Sequence, residues 1–278
     1  MALIVPEVFA ELVREKVKGK VVLLNLAQEI GDLPEFATVG DTITFPKWKL
    51  IGNAEDIVKG TPLTPESLNQ ESSSAKIVHK GKAVRIYDVE MLTGLGDRKI
   101  EEAAEQTAIV LTRGLDDDLS VEAKSAPLKK AIAGATVITN ADLEAGLQLF
   151  GDDVDSETFS GIVINSRLIA SMMQLDGFID KNKTTVSENN GVVRKGLIGY
   201  YRMIPIYVSD KGTYDSTLNE CITFILKNSA LGYKLKKQLD VEEEREAKLK
   251  ATDIVSDMMY AVHLIDEGGC VVLRKTIA

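Results

Sequence analysis

The sequence predicts an α+β fold, on three observations. From Asp97 to Ser125 apolar residues recur at steps of three and four, the period of one long amphipathic helix. From Val39 to Asp88 that period disappears and strand-like alternation replaces it. Beyond residue 125 short apolar runs alternate with helical patterns, which is the mark of a mixed α and β subdomain.

In chain order, residues 6–18 predict a short amphipathic helix. Pro6 suits its first turn, Phe9, Leu12, Val13 and Val17 share a face, and Gly19 can end it. The run VVLLNLA from Val21 is apolar but too short to assign between strand and helix. Gly31, Asp32 and Pro34 then break the chain, so the start reads as an arm. In DTITFPKWKLIG, Ile43 and Phe45 point one way and Thr42 and Thr44 the other. Pro46 inside that run marks an edge strand or exposed ribbon, because proline donates no ladder hydrogen bond. A polar, Gly- and Pro-punctuated stretch follows, and AKIVHKGKAVRIYD is again extended. The simplest geometry is a two-stranded arm running out through residues 41–51 and back through 75–87. A lone ribbon is marginal in water, so the arm needs a partner surface.

Within Asp97–Ser125 the stripe is Ile100, Ala104, Ala108, Leu111, Leu115 and Leu119. Asp97 is the expected N-cap, Asp116, Asp117 and Asp118 fall on the expected solvent side, and Gly114 is a possible bend. LKKAIAGA after Pro127 predicts a small turn or helix. Thr139 with Asp142 has the spacing of a capping box for ADLEAGLQLF, with Leu143, Leu147 and Phe150 inward and Gly151 as the stop. FSGIVINSRLIASMMQLDG predicts a buried strand at Ile162–Ile164, a cap at Asn165 or Ser166, and a helix carrying Leu168, Ile169, Met172 and Met173. DKNKTTVSENNG is a surface loop, and GLIGYYRMIPIYVSD two strands with a kink at Pro205. TFILK is a short strand. From Leu231 the parity of Leu231, Tyr233, Leu235, Leu239 and Val241 predicts a strand even though VEEEREAKLK has helical propensity. IVSDMMYAVHLID and GGCVVLRKTIA predict a closing hairpin.

Composition bounds the function. The 278 residues are 45% hydrophobic, enough for substantial cores, and the formal charge of −9 argues against a general nucleic-acid binder, whose affinity rests on clustered Lys and Arg. Cys221 and Cys270 stand alone, without CxxC or Cys/His neighbours, and read as buried free thiols. No apolar run reaches the roughly 18 residues that span a bilayer, and the N-terminus has no basic n-region, so production in the cytoplasm without membrane insertion is expected. Neither His79 nor His263 has a second ligand nearby in sequence, and no phosphate-loop, dinucleotide, hydrolase-elbow or zincin string occurs. Three successive Asp residues on a helix are about 100° apart and cannot converge on one ion. No catalytic residue, cofactor or metal site is expected. Trp48, the only tryptophan, lies in the arm, where an indole belongs at an interface or caps the arm's own base.

Taken in order, these parts resemble the major capsid proteins of tailed bacteriophages, the shell-forming Johnson fold. GDTITFPKWKLIG with its return strand looks like the family's extended E-loop, and DRKIEEAAEQTAIVLTRGLDDDL like its spine helix. FSGIVINSRLIASMM, GLIGYYRMIPIYVSD and ALGYKLKKQLDVEEERE resemble axial-domain elements and the strand returning from them, and AVHLIDEGGCVVLRKT the terminal strand pair. The resemblance implies an N-terminal arm (1–37), an E-loop (38–88), a peripheral domain with the spine helix (89–135 and 235–278) and an axial domain (136–234). It implies hexamers and pentamers of an icosahedral shell, with intersubunit contacts through Ile43, Phe45, Trp48 and Ile51 of the E-loop and Phe9, Leu12 and Val13 of the N-arm. It further implies a virion protein assembled in the host cytoplasm with scaffolding, portal and decoration proteins, enclosing double-stranded DNA without sequence-specific binding. The spine's acidic side would then face packaged DNA.

Three alternatives stay open at this point. One is an encapsulin-type compartment of the same fold with protein cargo. Another is a different polymerising phage component. The last is an enzyme built on scattered carboxylates such as Glu242–Glu244 with Asp253.

Overall fold

The computed structural model describes residues 21–34, 38–48, 56–57, 65–68, 70–90, 96–152, 154–180 and 196–277. The ambiguous VVLLNLA segment contains a single helical turn, α1 (Leu23–Leu26), and a strand, β1 (Gln28–Asp32), follows it. β2 (Thr42–Trp48) and β3 (Gln70–Lys76) form the predicted two-stranded ribbon, in register from Thr42 opposite Lys76 to Trp48 opposite Gln70. Pro46 sits opposite Ser72 and is tolerated because, among the described residues, the ribbon has a free side. The expected return through 75–87 is corrected. The chain turns at the buried Ile77, and β4 (Val78–Tyr87) leaves the ribbon for a larger sheet.

The spine helix, α2 (Gly96–Lys124), runs 29 residues without a break, about 43 Å at 1.5 Å per residue. Asp97 therefore lies inside it rather than capping it. Ala108, Leu111, Leu115 and Leu119 are buried as the periodicity requires, while the side chains of Ile100 and Ala104 lie outside the described residues. The helix does not stop at Gly114; the Lys80 side chain crosses that position and its Nζ donates to the Gly114 carbonyl at 3.3 Å.

After Pro127 the chain forms β5 (Leu128–Ala131), not a helical turn, because it pairs in parallel with the C-terminal strand. α3 (Asn140–Leu147) begins with the predicted capping box: the Asp142 N–H donates to the Thr139 hydroxyl oxygen, and the Asp142 carboxylate accepts from the Thr139 N–H at 3.0 Å. Gly151 ends that segment at φ 69°. β6 (Phe159–Ile164) is the predicted buried strand, and Asn165 caps a tight turn leading into α4 (Ile169–Met172). α4 is one turn long, and Met173 just beyond it is 53% exposed. β7 (Phe178–Asp180), β8 (Leu197–Tyr201) and β9 (Ile204–Val208) form a meander. The β8–β9 reversal is made by Arg202 and Met203, both at positive φ as a primed two-residue turn demands, and Pro205 lies within β9. The predicted loop DKNKTTVSENNG begins at Asp180, the last residue of β7, and the rest of it, 181–191, lies outside the described residues.

β10 (Tyr214–Asp215) and β11 (Glu220–Cys221) make a minor hairpin, followed by β12 (Thr223–Lys227). β13 (Leu231–Glu246) and β14 (Ala251–Leu264) are long antiparallel partners, so the Glu-rich stretch is strand as its parity predicted. β15 (Cys270–Arg274) ends the fold. The strands divide into a four-stranded sheet, β1-β13-β14-β4, and a seven-stranded sheet, β5-β15-β12-β6-β9-β8-β7. The expected terminal hairpin is thus corrected: β14 and β15 are consecutive but belong to different sheets. β5 and β15, placed by the resemblance in the peripheral segments 89–135 and 235–278, are strands of the sheet that contains the axial ones.

The spine helix lies on the four-stranded sheet. Leu111, Leu115 and Leu119 share a core with Met258, Tyr260 and Val262 of β14, and with Val163, Phe224 and Val272 of the other sheet. A second core, between α3, α4 and the seven-stranded sheet, contains Leu143, Leu147, Ile162, Leu168, Ile206 and Leu273.

Candidate assembly surfaces

The ribbon is held at its base by residues whose types its sequence pattern dictates. Alternation turns Ile43, Phe45 and Lys47 to one face. Phe45, predicted to touch another copy, is fully buried (0% exposed) in its own chain, in a cluster with Leu33, Ile77 and Ala261. Ile43 is half-buried beside it. The Phe45 ring stands 5.5 Å from the His263 ring and carries the Lys234 ammonium 4.9 Å from its centroid, a cation–π arrangement. Lys234 also donates to the Thr44 carbonyl at 3.3 Å, and Lys47 pairs with Asp266 at 2.6 Å. One face of β2 is thereby fastened to β13, to β14 and to the turn before β15. Trp48 ends β2; its side chain lies outside the described residues, as do Ile51, Phe9, Leu12 and Val13.

Asp116 and Asp118 of the spine are taken up by contacts within the chain, while the Asp117 side chain stays 43% exposed. Asp116 is 3% exposed and accepts from the Leu24 N–H at 3.0 Å, so its carboxylate serves donors at the start of α1, which a helix leaves without internal partners. Asp118 accepts from the Tyr260 hydroxyl at 2.8 Å and from Lys80 at 2.7 Å, and Asp117 faces Lys211 at 3.5 Å. The three carboxylates diverge, as helical geometry requires, and stitch α1, β4, β14 and the loop after β9 to the spine. That loop comes close enough at Gly212 (φ 66°) that an added Cβ would lie 2.0 Å from Ser120 Oγ. The expected solvent-side placement is corrected for Asp116, which is buried against α1.

Burial pushes the Asp116 carboxyl up to about 6, although N–H groups of α1 oppose the shift. Because the folded-state value lies above the unfolded one, Asp116 favours folding most at low pH, and that contribution is lost as pH rises from about 4 through 6. Asp116→Asn keeps an acceptor oxygen and removes the charge. Its denaturant stability relative to the native chain should rise between pH 4 and pH 7, by on the order of 2 kcal/mol; parallel pH profiles would contradict the assignment.

Other chemistry is sparse. Among the described residues no three His, Cys, Asp or Glu side chains are grouped to hold a metal ion. His79 pairs with Asp257 at 2.6 Å and His263 with Glu122 at 3.4 Å. Cys221 and Cys270 are buried and free, and desolvation pushes the Cys270 thiol up to about 12, which leaves it unreactive near neutral pH. Of the scattered carboxylates, Asp253 is engaged by Arg85 at 2.6 Å. Glu243 faces the opposite side of β13 from Glu242 and Glu244, so these groups do not converge.

No protein-family model matches the chain. The major capsid protein of Staphylococcus phage phiMR11 is 26% identical over 275 residues, spanning 98% of this chain and 93% of that protein. A solved structure from Gordonia phage Cozz superposes with a TM-score of 0.65 at 14% identity, covering 94% of this chain and 88% of that one. The capsid structure of cyanophage P-SCSP1u gives a TM-score of 0.63 at 15% identity, covering 94% and 90%. An anchored ribbon, an unbroken spine helix on a four-stranded sheet and a separate seven-stranded sheet are thus the Johnson fold of tailed-phage capsids, and over nearly its full length this chain is a relative of a phage major capsid protein.

Proposed function

We propose that the protein is the major capsid protein of a tailed phage, assembling through hexamers and pentamers into an icosahedral shell around double-stranded DNA. The observation that carries this reading is end-to-end similarity to a phage major capsid protein, which extends through the ribbon as well as the cores. A ribbon held at one end has a physical reason to seek a neighbour. Two strands alone bury too little, and obligate interfaces bury on the order of 2,000 Å² or more. Phe45 and Lys47 anchor the base, which leaves Trp48 and Ile51 as the E-loop contacts to a second copy, with Phe9, Leu12 and Val13 supplying those of the N-arm. Assembly in the host cytoplasm with scaffolding, portal and decoration proteins follows from the same reading, and no active site is assigned.

Electron microscopy of the purified protein tests it. Closed icosahedral particles are expected, and a stable monomer under all assembly conditions would refute the reading. The curated relative is a phage protein, which favours a capsid over an encapsulin compartment; particles that co-purify with protein cargo and never with nucleic acid would reverse that choice.

A further inference from the structure

The four-stranded sheet has two open edges of opposite charge. Among the described residues β1 covers β13 only as far as Leu235, and nothing pairs with the outer side of β4. Beyond that point β13 presents Glu242, Glu243 and Glu244, all exposed; Glu243 acts on the neighbouring Arg245, which is itself held by Asp88. β4 carries His79, Lys80, Lys82 and Arg85 and no acidic residue. Lys82 is exposed and without an ion partner among the described residues, whereas Lys80 and Arg85 are held by Asp118 and Asp253.

The register sets these charges at the same height. Ile254 lies between Glu243 and Val84, Val255 between Glu242 and Ala83, and Ser256 is opposite Lys82. Strand alternation puts Lys82 and Glu243 on the same face of the sheet, the one that carries the spine helix. The two edges are therefore complementary in charge at the same height of the sheet.

We infer that the Glu242–Glu244 edge of β13 meets the Lys82-bearing edge of β4 in a second copy of this chain. This rests on the shell reading and adds polarity to it. A two-fold contact through either edge would set like charges against each other, acid on acid or base on base, and is disfavoured. Only the head-to-tail arrangement brings opposite charges together, and head-to-tail contacts close into rings where the rotation between copies closes. The carboxylates also discourage indiscriminate strand pairing along β13, as charged residues do on open edges.

Charge reversal tests the contact in the full-length chain. Lys82→Glu and Glu243→Lys are each expected to lower the assembled fraction by about tenfold at low salt. The combined variant restores the pair with its sign reversed and should recover assembly to near that of the unmodified protein. Melting of the dissociated subunit serves as the folding control, since both side chains are exposed. Single variants that assemble normally would overturn the inference, and so would a combined variant that folds yet fails to recover. In either case the unmodified protein would still form shells, so the shell reading would be untouched. Ionic strength supplies a second readout: raising salt from about 0.1 M to about 1 M should erase the difference between the single variants and the unmodified protein, and a difference that persists at high salt would count against a charged contact.

Discussion

Replacing residues 49–69 by Asn-Gly is expected to give a subunit that folds and does not assemble. Trp48 and Gln70 face each other at the outer end of the ribbon, so a two-residue turn can join the strands without moving them. The anchor contacts lie at Thr44, Phe45 and Lys47, inside the retained strands. Circular dichroism and thermal melting should match the unmodified subunit, while shell yield by sedimentation and microscopy falls by at least about tenfold. Shells of normal size and number from this variant would contradict the role given to the outer arm.

Phe45→Ala is expected to act on the opposite side of that division. Phe45 is fully buried in a cluster within one chain, and truncating such a ring costs about 3–5 kcal/mol through lost burial and the cavity left behind. The urea midpoint of the dissociated subunit should fall accordingly, and amide exchange should quicken along β2 and β3 ahead of the spine. An interface residue would behave otherwise, leaving subunit stability unchanged and weakening assembly alone. Together the two variants separate fastening the ribbon from using it.

The parts legible in the sequence were those specified locally. The spine helix is read from an apolar stripe running from Ile100 to Leu119, and the α3 cap from two side chains three residues apart. β13 was legible despite its glutamates because the parity of Leu231, Tyr233 and Leu235 outweighs propensity when a long partner strand is present. What could not be read depended on distant segments. LKKA has no strand character of its own and becomes β5 because β15 offers an edge. β14 and β15 looked like a hairpin because nothing local says that the Gly-containing turn between them changes sheets.

Asp116 and Phe45 were misplaced for a related reason. Periodicity identified the main stripe of the spine, but Ile109, Thr112, Asp116, Ser120 and Ala123 follow the same three- and four-residue steps and are also buried. The small Thr112 and Ser120 were the available signal that a second surface packs there. Their hydroxyls bond back to the helix, to Ala108 O and Asp117 O, so their polarity did not mean exposure. Phe45 was read correctly as needing cover, but the cover comes from Leu33, Ile77 and Ala261 of the same chain.

The passage from β14 to β15 has a mechanical consequence. Residues 265–269 carry the chain from one sheet to the other, and Asp266 within them holds Lys47 of the ribbon. A pull on the ribbon therefore reaches the junction of the two sheets and is divided between them. On the β14 side it becomes shear along a ladder of thirteen aligned pairs with β13, and on the β15 side shear against β12 and β5. Hydrogen-bonded strands loaded along their length must slip together instead of peeling one bond at a time. In the proposed shell, tension carried by the ribbon would thus meet a stiff subunit rather than a single yielding strand.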